Sequence, residues 1–191
     1  MKLKAGVLGA GHLGKIHLRL LAQSEKYELV GFYDSDTNNA QQVSETFGYH
    51  RFDTMEELIA ACDVVDVVTP TLHHYECAEK IIKAGKHLFI EKPIATTVEE
   101  AEKMIALAEA YGVLGQVGHV ERFNPAFTAV KDLIHQPMFI EAHRLAEFNP
   151  RGTDVPVVLD LMIHDIDVIL SVVKSPVKHI ASSSSMVISH S

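Results

Sequence analysis

The 191-residue chain is 47% hydrophobic and 22% charged, the composition of a globular protein with a core to bury. Its net charge of −8, with Lys and Arg scattered, excludes the electrostatic footprint of a nucleic-acid binder or of a protein docked on an anionic membrane. Two cysteines, Cys62 and Cys77, without a C-x-x-C, exclude a disulfide framework or cysteine zinc site and fit a reduced, cytoplasmic setting, and no run reaches transmembrane length.

The first element is a short apolar run that leads into Gly9-Ala10-Gly11-His12-Leu13-Gly14 and then a helical pattern, the start of a dinucleotide-binding βα unit. Gly9 permits the tight turn, Gly11 lets backbone approach a pyrophosphate, and Gly14 lets helix pack on strand. The pyrophosphate would sit at the helix N-terminus, where free N–H groups and the dipole favour negative charge. A second apolar run, 28–33, ends in Asp34, twenty positions after Gly14, where a carboxylate can accept from a ribose diol. It would also repel a 2′-phosphate, and no Arg follows in Ser35-Asp36-Thr37, so the pattern favours NAD over NADP. The plainer reading is a glycine turn of another βα fold with Asp34 as a helix cap.

A helix over 38–47 stops at Gly48, and Thr54 with Glu57 forms a capping box for a helix over 55–61. Val64-Val65-Asp66-Val67-Val68 reads as a parallel strand buried on both faces and ends in Thr69-Pro70. A helix over 72–84, a strand over 87–90 delivering Glu91-Lys92-Pro93, a helix from Thr96-Thr97 to Tyr111 and a strand over 113–118 complete the alternation. The pattern predicts an α/β fold with a doubly wound parallel sheet over 1–120, its ligands outside the carboxyl ends of the strands. From 121 to 191 the character changes: a helix near 125–135, a strand-like run over 138–148, an apolar helix over 156–173 and a further strand over 177–188. These suggest the start of an α+β domain with a mainly antiparallel sheet, cut short, as in a fragment.

The 156–173 helix is apolar nearly all round, the mark of burial, yet Asp160, His164, Asp167 and Ser171 form one polar stripe. Such groups need partners, either backbone of a neighbouring loop or a ligand. His164 suits a base that takes a hydroxyl proton while hydride leaves for a nicotinamide. Asp160 could orient it or hold substrate, and Lys92 could bind the reacting oxygen and favour alkoxide character. Lys92 read blandly is a surface turn lysine. His73 and His74 lack further ligands at metal spacing, so no metal is expected. The other histidines, His17, His135 and His179 among them, read as ordinary surface or core residues.

With Gly9 to Gly14, Asp34, Thr69-Pro70 with His74, Glu91-Lys92-Pro93 and Asp160-Leu161-Met162-Ile163-His164 in order, the chain resembles the glucose-fructose oxidoreductase and inositol dehydrogenase family, Gfo/Idh/MocA. The resemblance implies Lys92, Asp160 and His164 as the catalytic set and Thr69, Pro70, His74 and Glu91 along the cofactor. It also aligns Arg151, preceded here by Pro150, with a basic residue that touches the cofactor in relatives. The segment from Gly118 to Pro125 and the loop over 149–153 look most like members acting at C3 of UDP-N-acetylglucosamine-type sugars, which puts Glu121 and Arg122 with Asp160 and His164 at the substrate. The expected activity is NAD(P)-dependent hydride transfer, with NAD favoured over NADP, between nicotinamide and a hydroxyl carbon of a sugar or cyclic polyol, nucleotide-linked in the leading expectation, by a homo-oligomer in full-length form. Dinucleotide binding without turnover, and an inositol, biliverdin-like or glycosidic substrate, are the competing readings.

Overall fold

The computed structural model describes residues 2–145 and 156–185. The chain divides into two compact units, Met1–Gly118 and His119–Ser191. The first holds β1 (Leu3–Leu8), α1 (His12–Ala22), β2 (Tyr27–Tyr33), α2 (Thr37–Phe47), α3 (Met55–Ala61) and β3 (Val64–Val67). A 3-10 turn (Thr71–His73) then leads into α4 (His74–Lys83), β4 (His87–Ile90), α5 (Val98–Tyr111) and β5 (Gly115–Val117). All strands run parallel in the order β2-β1-β3-β4-β5, so the chain winds outward from β1 to β2 and then crosses back to β3. That reversal creates a crevice at the carboxyl ends of β1 and β3, where ligands bind in such sheets.

The register aligns those ends: Leu8 pairs with Tyr33 on one side and Val67 on the other, Val67 with Ile90, and Ile90 with Val117. The next residues along the chain, Gly9, Asp34, Val68, Glu91 and Gly118, therefore leave the sheet in one row. Alternation along the strands feeds two cores. Val7 and Phe32 pack with Leu18 of α1 and Ala40 and Val43 of α2. Leu8, Val65, Val67 and Ile90 pack with Leu58 of α3, Ile81 of α4 and Met104 of α5. Each of these side chains larger than alanine contributes about 1.5–3 kcal/mol, which keeps the loop row on a rigid base.

Local signals fix the helix ends. Thr54 Oγ1 accepts from Glu57 N and Glu57 Oε2 from Thr54 N, each at 3.2 Å, so the capping box forms. Asp36, rather than Asp34, caps α2, leaving Asp34 for the crevice.

The second unit departs further from the pattern. It holds a 3-10 turn (Val120–Phe123), α6 (Pro125–Val130), a second 3-10 turn (Lys131–Leu133), and a π-helical turn (Val158–Met162) running into α7 (Ile163–Val172). The helix near 125–135 is thus shorter and tightens at its end, and the 156–173 helix is two helical types in series. The strands expected over 138–148 and 177–188 do not form in the described residues 138–145 and 177–185. A strand exists through its ladder with a neighbour, and no edge is present among the described residues of this unit. For the same reason the apolar helix is not buried there: Val157, Met162 and Leu170 are 65%, 51% and 50% exposed, and Asp167 is its buried residue. Residues 146–148, 149–153 with Pro150 and Arg151, and 186–188 lie outside the described residues.

Candidate active site

A cleft of ≈ 710 Å³ opens at the switch point. Gly9 and Gly11 line it from the β1–α1 loop, His12 and Leu13 from the first turn of α1, and Asp34, Thr69 and Pro70 from the ends of β2 and β3. Gly9 sits at φ +93°, in the left-handed half of the map that disfavours side chains, and a Cβ there would lie 2.8 Å from the Val68 carbonyl oxygen. A Cβ at Gly14 would overlap the Gly9 carbonyl oxygen, so the helix can approach the turn because residue 14 has none. Gly11 is the reverse case, with nothing within 4 Å of the position a Cβ would take. It is also the N-cap of α1 and offers no side-chain cap, so the first N–H groups of that helix are left for an anion. These features fit a dinucleotide's pyrophosphate.

Asp34 is fixed at the cleft wall. Its Oδ2 accepts from the Ala10 amide at 2.7 Å and from Asn39 Nδ2 at 3.0 Å, and its Oδ1 from the Asp36 amide at 2.9 Å. Asn39 Nδ2 also donates to the Ala10 carbonyl at 3.0 Å, tying the glycine loop to α2. A carboxylate so held keeps a lone pair on Oδ1 for a ribose hydroxyl, and among the described residues no Lys or Arg lines the cleft to accept a 2′-phosphate.

The remaining expected cofactor residues stand behind this wall. His74 is buried, with Nδ1 2.9 Å from the Pro93 carbonyl and Nε2 2.9 Å from the Thr69 carbonyl, and so braces the loop after β3 against the loop after β4. Glu91 is buried and Lys92, next in line at the end of β4, is half-buried and joined to Pro93 by a cis peptide bond. His17 of α1, read as an ordinary histidine in the sequence, sits between two carboxylates: Nδ1 is 2.8 Å from Asp66 Oδ2 and Nε2 is 3.3 Å from Glu91 Oε1. Burial opposes charge on the ring, but hydrogen bonds and charge from Asp66 and Glu91 outweigh it and push its pKa up to about 9. Burial raises Asp66 against the pull of His17, so both shifts keep a proton in the pair. The sequence did hold a signal, since an aspartate inside a strand buried on both faces requires a partner.

In the second unit Arg122 Nε and Nη2 donate to Asp167 Oδ2 and Oδ1, each at 2.6 Å, and His119 Nδ1 lies 3.9 Å from Asp167 Oδ1. The Arg122 guanidinium is held further above its usual range by this carboxylate. Arg144 pairs in the same two-pronged way with Asp165 at 2.7 Å and holds that carboxyl below the usual range. Glu121 Oε2 accepts from Asn124 Nδ2 at 3.0 Å. Asp160 lies in the π turn and His164 in the first turn of α7, both half-buried. Arg122 thus meets Asp167 of the polar stripe, a partnership that sequence spacing alone does not reveal. Among the described residues no group of three or more His, Cys, Asp or Glu could hold a metal ion, and no helix is long and apolar enough to cross a membrane.

A five-stranded doubly wound sheet with an uncapped glycine turn and a fixed carboxylate at its switch point defines a Rossmann-type dinucleotide-binding protein. Residues 3–119 match the Gfo/Idh/MocA family, described as an oxidoreductase family with a NAD-binding Rossmann fold, and the chain belongs to that family. The UDP-N-acetylglucosamine 3-dehydrogenase of Acidithiobacillus ferrooxidans is 37% identical over 169 residues, 88% of this chain and 53% of that protein. Its solved structure superposes with a TM-score of 0.84 at 36% identity, covering 90% of this chain and 57% of that one. The glucose-6-phosphate 3-dehydrogenase of Bacillus subtilis is 35% identical over 131 residues, 69% of this chain and 37% of that protein. A solved structure of GenD2 from gentamicin A biosynthesis, in complex with NAD, gives a TM-score of 0.65 at 27% identity, covering 69% of this chain and 38% of that one. The chain spans about half the length of the first of these curated relatives.

Proposed function

We propose that the chain carries the cofactor site and the catalytic side chains of an NAD-dependent dehydrogenase that oxidises a ring hydroxyl of a sugar, in particular a UDP-linked amino sugar. The observation that carries the cofactor half of this reading is the Asp34 carboxylate, held at the cleft by Ala10, Asp36 and Asn39. The substrate half is supported by the likeness to a UDP-N-acetylglucosamine 3-dehydrogenase along 88% of the chain.

Bound NAD supplies the hydride acceptor. In this reading Gly9 to Gly14 seat the pyrophosphate at the start of α1, with Gly11 giving the close approach, and Asp34 accepts from a ribose hydroxyl. Thr69 and Pro70 form the wall after β3, and His74 and Glu91 hold that wall and the Lys92 loop in place. His164 takes the proton of the reacting hydroxyl at its imidazole, Lys92 donates to the reacting oxygen as negative charge develops on it, and Asp160 orients the substrate or His164. Glu121 and Arg122 serve the sugar, with the Arg122 guanidinium oriented by its two-pronged hydrogen bonds to Asp167.

The test is a fluorescence titration with NADH, followed by NAD and UDP-N-acetylglucosamine with absorbance followed at the reduced nicotinamide band. Growth of that signal, lost in Lys92→Ala and in His164→Ala while NADH binding persists, supports the reading. NADH binding without turnover on any sugar nucleotide removes the substrate assignment, and no NADH binding removes the whole.

A further inference from the structure

Three ionisable side chains meet behind the cleft without lining it. His17 comes from the second turn of α1, Asp66 from β3, and Glu91 from the residue after β4. Asp66 and Glu91 are each 8% exposed, and charges this deep are costly unless paired; apolar residues of similar volume would hold α1 on the sheet at least as well. The geometry at the ring is informative. Both ring nitrogens face a carboxylate oxygen, and a neutral imidazole has one N–H, so only the imidazolium donates to Asp66 and Glu91 together. Of the two contacts the one to Glu91, at 3.3 Å, is longer than the one to Asp66, at 2.8 Å, and is the one a deprotonated ring gives up first.

The line continues past Glu91. Its Oε1 meets His17, and its Oε2 accepts from the backbone N–H of Lys92 at 3.2 Å. The carboxylate has room because residue 118 is glycine: a Cβ there would stand 2.8 Å from Glu91 Oε1 and 3.0 Å from the Phe89 ring. The Phe89 ring lies 6.0 Å from that of His17 and flanks it, and Tyr27 of β2 and Gln116 of β5 border the same small cavity as His17 and Asp66. Among the described residues, Asp66 and Glu91 are the carboxylates in contact with the ring, and Tyr27 is the further titratable group that borders its cavity.

We infer that His17 is a positioning residue for Lys92: anchored on Asp66, its ring fixes the Glu91 carboxylate against the Lys92 amide, and so links the helix that starts at the glycine loop to the segment that carries Lys92. The catalytic consequence rests on the reading that Lys92 serves hydride transfer. Cofactor seating at the N-terminus of α1 and placement of Lys92 then share one strut, and loss of the His17 proton loosens the far end of it.

The experiment is a pH titration of the isotopically labelled chain, reading the His17 ring nitrogens and, by carbon-detected correlation with the Glu91 carbonyl carbon, the Lys92 backbone nitrogen. The expected result is a Lys92 nitrogen shift that follows the same alkaline midpoint as the His17 ring and disappears in His17→Gln. A Lys92 nitrogen that stays flat while His17 titrates, or that titrates unchanged in His17→Gln, overturns the inference, and the wild-type titration alone suffices if that variant does not fold. In the sugar-nucleotide assay His17→Gln should lower kcat by about tenfold, the scale of lost support behind a reacting group, with NADH affinity held. Full turnover in Lys92→Ala removes Lys92 from the reaction whatever the titration shows; an inactive Lys92→Ala with a flat Lys92 nitrogen removes the His17 strut alone.

Discussion

Asn39 holds Asp34 from within the protein, its one amide nitrogen donating at 3.0 Å to the Asp34 carboxylate and at 3.0 Å to the Ala10 carbonyl. The cleft wall is therefore a closed ring of hydrogen bonds between the glycine loop, the end of β2 and α2. Removing Asp34 should abolish discrimination at the ribose: in Asp34→Ala, NADH affinity falls and NADPH affinity rises, so that their ratio moves by about tenfold or more, the worth of one to two charge-assisted hydrogen bonds. Asn39→Ala should move the same ratio in the same direction by a smaller factor, about threefold to fivefold, because the carboxylate is kept and only its aim is lost. Parallel fluorescence titrations with NADH and NADPH check both, and an unmoved ratio in Asp34→Ala would remove the ribose role.

Gly14 is committed by geometry rather than by chemistry. Gly14→Ala places a methyl on the Gly9 carbonyl oxygen, and neither backbone can yield without opening the turn. A loss of about 2–4 kcal/mol is expected from overpacking at a rigid contact, read as a lower urea midpoint by far-ultraviolet circular dichroism, together with weaker NADH binding. Gly11→Ala, with open space at its Cβ, should leave the urea midpoint nearly unchanged and weaken NADH binding alone.

The pH dependence of stability follows from His17. Its folded pKa is raised from 6.5 to about 9, so the folded protein holds a proton that the unfolded chain releases earlier. The stabilisation is complete below 6.5, declines as pH rises, and is gone once pH passes about 9. The urea midpoint should fall across that window in the wild type and change less in His17→Gln. A wild-type midpoint that rises between neutral and alkaline pH would contradict the buried imidazolium.

Arg122→Ala leaves the Asp167 carboxylate, 8% exposed, without its two-pronged partner. Because the Arg122 side chain is itself 48% exposed, the expected cost is about 1–3 kcal/mol rather than the full penalty of a buried orphan charge. Arg122→Ala with Asp167→Asn should recover part of it. A double-mutant cycle in urea measures the coupling, and a value near zero would mean that the pair contributes nothing beyond its separate members.

The first unit was legible because its local and global rules agree. Glycine at 9, 11 and 14, the Thr54–Glu57 box, the glycine stop at 48 and the β-branched run at β3 each name an element on their own, and the alternation of strand and helix fixes the sheet. What the sequence did not yield was pairing across distance. His17 and Asp66 are 49 positions apart and Arg122 and Asp167 are 45 apart, so no spacing rule joins them. The strand-like runs at 138–148 and 177–188 misled over their described parts, 138–145 and 177–185, for a physical reason: strand-like composition records a preference for a sheet face, and the described residues of that unit supply no sheet to meet it. The polar stripe at 160, 164, 167 and 171 assumed one uniform helix, whereas the π turn over Val158–Met162 changes the residues per turn just where Asp160 sits.

Among the described residues, every group that lines the cleft, from Leu8 to Cys77, is drawn from the unit Met1–Gly118. Recognition of the dinucleotide is in that sense portable: the chain beyond Gly118 can change without disturbing the turn, the carboxylate or the ring of hydrogen bonds that aims it.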